Sequence, residues 1–110
     1  MNNAIRGFPF FKEVEAAGES EMFVNHCCSD GTIEFKGTAT SFSAEIQGCV
    51  DREGEIQWTT LSAVNLSDFS TVSSITDKGI YSVSAMGVSI RIKINSISGG
   101  NLTVTGMFLD

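Results

Sequence analysis

Along Ser89–Ile97 apolar and polar side chains take turns: Ile90, Ile92 and Ile94 alternate with Arg91, Lys93 and Asn95. A period of two sends one set to each face of an extended chain, so the pattern predicts a half-buried β-strand. Ser98-Gly99-Gly100-Asn101 follows, with positions that tolerate positive φ, and alternation resumes over Leu102–Thr105. The two runs read as a hairpin. Met22–Cys28, Ser29-Asp30-Gly31 and Thr32–Lys36 repeat this grammar, with Asp-Gly as the turn. A third hairpin is expected from Phe42–Val50, the turn Asp51-Arg52-Glu53-Gly54 and Glu55–Leu61, where Ile56 and Trp58 share a side. The β-branched stretches Thr71–Ile75 and Ile80–Ala85 flank a fourth turn, Thr76-Asp77-Lys78-Gly79.

Helical periodicity is confined to Phe11–Ala17, a stretch too short to hold a helix alone. About seven or eight short antiparallel strands punctuated by glycine turns argue for a sandwich, jelly roll or barrel, because a sheet with one apolar face must bury it. The expected fold is all-β, a jelly-roll-like antiparallel β-sandwich of two sheets over residues 20–110. Its core anchors are Trp58, Tyr81, Ile90, Ile92 and Ile94. Residues 1–19 lack clean alternation and read as an N-terminal arm. Phe8, Pro9, Phe10 and Phe11 form its aromatic cluster, which either folds back onto the sandwich or contacts a neighbouring subunit.

Composition narrows the function. A chain of 110 residues, 42% apolar and 18% charged, supports one hydrophobic core and does not read as disordered. Thirteen carboxylates oppose seven Lys and Arg with no basic stripe, which argues against a nucleic-acid partner. The apolar runs fall far short of the roughly 18 residues that cross a bilayer, so no transmembrane helix and no membrane partner are expected. Met1–Phe11 lacks the apolar stretch of a secretory leader, which predicts synthesis for the cytoplasm. Cys27, Cys28 and Cys49 form an odd set with two adjacent, so they read as reduced, packed thiols.

The chemistry-bearing residues do not converge. His26 is the only available imidazole base; it can share a strand face with Cys28, but nucleophile elbow, oxyanion turn and orienting acid are missing from the pattern. Adjacent Cys27 and Cys28 diverge on a strand, so with His26 and Cys49 they do not make a zinc site. Asp51 with Glu53, Glu13 with Glu15, and Glu19 with Glu21 read as solvated faces, and no nucleotide-binding glycine loop occurs. No catalytic, cofactor-binding or metal residue is therefore predicted, and the chain is read as no enzyme. Trp58 and Tyr81 are the candidates for stacking on a sugar, but each lies in phase with apolar neighbours and reads as core.

Two stretches carry a resemblance. Ile46-Gln47-Gly48-Cys49-Val50-Asp51, followed by Gly54, Trp58 and Leu61, resembles a pattern in small β-sandwich structural proteins of tailed bacteriophages and prophages. Gly79-Ile80-Tyr81-Ser82-Val83, Gly87, Ile90-Arg91-Ile92, Ser96 and the closing Gly99-Gly100-Asn101-Leu102-Thr103-Val104-Thr105-Gly106 resemble it more closely. Cys49 departs from the pattern, which has a small polar residue there. The resemblance implies a non-enzymatic virion component, made in the bacterial host cytoplasm and needing no cofactor. It implies a module that decorates capsids or builds tail, baseplate or fibre parts, and the Phe8, Phe10 and Phe11 arm, able to insert between capsid subunits, puts capsid decoration slightly ahead. The implied partners are capsid or tail subunits, with many copies or a homo-oligomer in the assembly. A glycan- or host-surface-binding sandwich module is the reading from another class.

Overall fold

Ile90, Ile92 and Ile94 are buried and Arg91 and Lys93 half-exposed in the computed structural model, which describes residues 5–24, 30–50, 56–84 and 88–109. Their strand is one of ten: β1 (Ile5–Val14), β2 (Gly18–Glu19), β3 (Asp30–Lys36), β4 (Ser41–Cys49), β5 (Thr59–Thr60), β6 (Ala63–Asn65), β7 (Thr71–Val72), β8 (Gly79–Ser84), β9 (Ser89–Ser98) and β10 (Leu102–Leu109). Six form one sheet in the order β1-β10-β3-β8-β6-β7, and four form the other in the order β2-β9-β4-β5. All the pairings are antiparallel. The all-β sandwich expected from the sequence is present, and short strands of two or three residues raise the count above seven or eight. No helix occurs among the described residues: Phe11–Val14 finishes β1, and 15–17 crosses towards β2.

Which strands pair is another matter. β9 and β10 are not a hairpin; they belong to different sheets. The chain leaves the small sheet at Ser98, turns through Gly99 (φ 76°) and Gly100 (φ 144°), and enters the large sheet at Leu102. A parallel crossing at Gly37–Thr40 carries β3 into β4. The two arches are laced together: Ala39 N donates to Asn101 O (2.9 Å), Thr40 N to Ser98 O (3.1 Å) and Asn101 N to Thr38 Oγ1 (3.0 Å). A Cβ on either Gly99 or Gly100 would overlap Thr40 or Thr38, so both glycines serve the close approach as well as the backbone angle.

Asp30-Gly31 is not a turn either. Both residues lie inside β3, opposite Leu109 and Phe108 of β10 on one side and Ser84 and Val83 of β8 on the other. Gly31 is required by packing, since a Cβ there would stand 2.5 Å from the Phe108 ring. The stretches Thr71–Ile75 and Ile80–Ala85 do not pair with each other, because β6 stands between β7 and β8. Ile75 crosses to the small sheet and exchanges hydrogen bonds with Ala44 (2.8 and 2.9 Å). Of the expected hairpins the third survives in part: β5 pairs with β4 at Thr60–Gln47 and Thr59–Gly48, over two residues only. Its turn, 51–55, lies outside the described residues.

Residues 5–14 are no detached arm. They are the edge strand β1 of the large sheet, running from Ile5 opposite Leu109 to Val14 opposite Leu102. Phe10 is 5% exposed, and Phe8 and Phe11 pack against the core, which leaves Pro9 as the solvent-facing member of the expected contact set. The rings engage one another: Phe8 meets Phe10 edge-on (4.8 Å), and Phe23 stacks on Phe108 (4.1 Å, 9° between planes). Phe23 also exchanges backbone hydrogen bonds with Ile90 (2.7 and 3.0 Å), which binds the segment after β2 to the small sheet while its ring rests on the large one. An arm with so much aromatic surface gains more by burial here than in water, at about 1.5–3 kcal/mol for each ring fully buried.

Register fixes two poles. Phe35 opposite Gly79, Lys36 opposite Thr103 and Asn65 opposite Tyr81 gather the arches, the β6–β7 loop and the β7–β8 connection at one pole. Ile5 opposite Leu109, with Asp30 opposite Leu109 and Ser84, marks the other. The seat of Phe108 gives a direct test. Gly31→Ala should cost about 1–3 kcal/mol by overpacking, whereas Gly7→Ala, whose Cβ would meet only Met107 Sδ at 3.5 Å, should stay within about 0.5 kcal/mol of wild type. Equal midpoints for both variants in urea denaturation would show that the seat is loose.

Candidate interaction surface

Tyr81 sits in the core at 2% exposure. Its hydroxyl donates to Asp77 O (2.7 Å). Burial pushes the phenol above its ordinary pKa, and the Asp77 and Asp68 carboxylates add to the rise. A ring so enclosed offers no face to a sugar. Trp58, expected beside it as an anchor, is outside the core: residues 56–58 are not strand, Ile56 is exposed, and the indole lies half-buried under the Arg91 guanidinium, 4.3 Å from its centroid. The Ile56–Trp58 alternation misleads because β5 is too short to impose an inward face there. Stacking of this kind contributes about 0.5–1 kcal/mol at an exposed site.

Arg91 belongs to a polar network on the outer face of the small sheet. Its Nε donates to Gln47 Oε1 (2.7 Å), and Gln47 Nε2 donates to Glu45 Oε1 (2.6 Å). Glu45 also accepts from Thr60 Oγ1 (2.9 Å) and Asn95 Nδ2 (3.3 Å). Strand register builds this directly, since Glu45 lies opposite Lys93 and Gln47 opposite Arg91. Partial desolvation raises the Glu45 pKa, but the hydrogen bonds from Thr60, Asn95 and Gln47, with the Lys93 charge, outweigh it and hold the carboxyl below its ordinary value. The network ties Arg91, Gln47, Glu45, Thr60 and Asn95 to one another across the strands and so fixes their side chains.

The outer face of the large sheet is different in kind. Exposed Ile80 and Met107, with Thr32, Glu34 and Thr105, line a shallow depression. Cys49 is buried with a free thiol. No cluster of three or more His, Cys, Asp or Glu forms among the described residues; His26, Cys27 and Cys28 lie outside them.

The β6–β7 loop presents the most exposed aromatic of the described residues. Asn65-Leu66-Ser67-Asp68-Phe69-Ser70 closes through Asn65 N donating to Ser70 O (2.8 Å) and Phe69 N to Asn65 O (2.7 Å). Asn65 Oδ1 accepts from the N and Oγ of Ser67 (3.0 and 2.9 Å), and Asp68 Oδ1 accepts from the N and Oγ of Ser70 (2.9 and 2.7 Å). Leu66 N donates to Ile80 O (3.0 Å), anchoring the loop to β8. At its tip Phe69 holds φ 61° and is 77% exposed, and Leu66 is exposed as well. Hydrogen bonds from Ser70 depress the Asp68 pKa and keep its exposed carboxylate charged. Periodicity does not mark this loop as a surface feature; the signal in the sequence is two bulky apolar residues inside a run of turn-forming Asn, Ser and Asp.

Comparison with known proteins gives a relationship. A family model described as XepA matches residues 5–108. The structure of the SPBc2 prophage-derived protein YomS superposes with a TM-score of 0.88 at 26% identity, covering 100% of this chain and 96% of that one. The PBSX exported protein XepA superposes with a TM-score of 0.93 at 24% identity, covering 100% of this chain but 39% of that one. No curated protein sequence matches the chain.

The polar network has a pH signature. A carboxyl whose folded pKa is depressed contributes stability above its unfolded value and loses it as pH falls through the folded value. Glu45→Gln should therefore be less stable than wild type near neutrality by a pH-independent margin, and that margin should shrink below about pH 5. Thermal midpoints of both proteins measured from neutrality to acid would reveal this; parallel curves throughout would refute the assignment.

Proposed function

The chain belongs to the XepA family, and we propose that it serves as a non-enzymatic structural protein of a phage or prophage particle, acting through protein–protein contacts. The observation that carries the reading is the match over nearly the whole fold to a family with prophage-derived relatives. YomS has this fold at nearly this length, and the chain spans 39% of PBSX XepA. We read the fold as a module able to stand alone or within a larger chain. Its most polar site, around Glu45, spends its hydrogen bonds on neighbouring side chains, which suits a surface that holds shape.

The finer placement we propose is capsid decoration, with tail, baseplate or fibre positions as the competing sites. With β1 built into the sheet, attachment falls to preformed surfaces rather than to an inserted N-terminal arm. Many copies repeat each weak contact, so modest surfaces suffice in a symmetric shell.

One observation favours a second reading, binding of a glycan on a host surface: Trp58 is partly open to solvent beside fixed Arg91 and Gln47 side chains. Tyr81 has no part in it. Loss of signal on a glycan array in Trp58→Ala, with an unchanged melting temperature, would support that reading.

The main test is physical association. An epitope-tagged copy expressed during phage induction should co-sediment with purified particles and label the head by immunogold. Label on the tail selects the competing placement. Recovery of the protein solely in the particle-free supernatant, as the description of XepA as exported invites one to check, would sink the particle reading.

A further inference from the structure

We propose that the β6–β7 loop is a docking knob, in which Phe69, helped by Leu66, seats in an apolar socket bordered by Lys or Arg on another subunit of the particle. The inference rests on the particle reading above and adds the residues and the chemistry of the contact.

The fold itself has no use for Phe69. It is 77% exposed and takes no part in the aromatic cluster or in the packing around the core. Its backbone is in the left-handed region at φ 61°, which Asn or Gly adopts with less strain than a bulky aromatic. Strain at an exposed position that the loop's own hydrogen bonds hold in place points to a role outside the monomer's stability.

The loop is also prepared for contact. Asn65 and Asp68 each tie down a serine two residues on, Asn65 and Ser70 close the base, and Leu66 is pinned to Ile80. Little further ordering is needed when a partner arrives, so less of the contact energy is lost to entropy. Phe is also among the aromatic side chains enriched at the buried centre of protein interfaces.

Charge selects the partner. The Asp68 carboxylate adjoins Phe69 and stays ionised, Asp77 lies in the neighbouring connection at the same pole beside Lys78, and the whole chain carries a net charge of −6. Burying Asp68 at a socket rim without a cation would be costly, so the rim that fits supplies Lys or Arg. The same charges oppose approach to an anionic bilayer, and two apolar side chains separated by Ser67 and Asp68 make a poor interfacial anchor.

The experiment uses particles purified from a phage deleted for this reading frame, to which purified protein is added back at graded concentrations and sedimented. Phe69→Asn should raise the half-saturating concentration about tenfold or more, with a urea midpoint equal to or above wild type because the left-handed strain is relieved. Asp68→Asn, which keeps the oxygen acceptor for Ser70, should weaken association several-fold and flatten its salt dependence. Equal binding by Phe69→Asn overturns the knob and leaves the particle reading intact. A large loss of stability in that variant overturns it too, by making Phe69 structural. Binding of wild type, but not of Phe69→Asn, to vesicles of anionic phospholipid would replace the protein socket with lipid. Failure of wild type to bind any particle overturns the particle reading, and the socket with it.

Discussion

Much of the structure depends on two vacancies in the large sheet and on the ring that fills them. Gly31 and Gly106 lack the Cβ that would strike Phe108, and Phe10 presses on the Gly106 vacancy from the other side. Phe23 then stacks on Phe108 and Phe8 meets Phe23 edge-on (5.5 Å). Four rings thereby join β1, β10 and the segment that edges the small sheet. The first and last strands meet here, so this corner can form only when residues nearly a whole chain length apart come together. Such long-range pairing favours slow folding, in the millisecond-to-second range of β-sandwiches.

The sequence made the strands legible and hid their partners. Alternation in β3, β4, β9 and β10 marked which side chains turn inward, and Tyr81, Ile90, Ile92 and Ile94 are indeed buried. A period of two is silent about which sheet a strand joins, so Ser98–Asn101 looked like a hairpin turn although it is an arch. Asp30-Gly31 misled for another reason: glycine that makes room for a ring and glycine that makes a turn are the same letter. The N-terminal phenylalanines were recognised as too apolar for water, but their burial needed Phe108 and Phe23, which lie far away in sequence.

The surface was harder to read. Glu45, Gln47 and Arg91 form a network only because β4 and β9 pair in one particular register, and a one-residue slip would have scattered them. Periodicity alone misses Phe69, because its importance lies in exposure and backbone angle; only its place with Leu66 in a run of turn-forming residues marks it in the sequence. What emerges is a division of labour: the small sheet's outer face is polar and cross-linked by side-chain hydrogen bonds, the large sheet's carries Ile80 and Met107, and the pole between them presents Phe69.

Because Ile5 pairs with Leu109, polypeptide appended before one or after the other would leave the sandwich side by side, at the pole remote from Phe69. The molecule is thus built like a tack, with its point at one pole and a double handle at the other. Passengers fused at either handle would project outward from whatever surface the point enters, which makes this fold a natural scaffold for display.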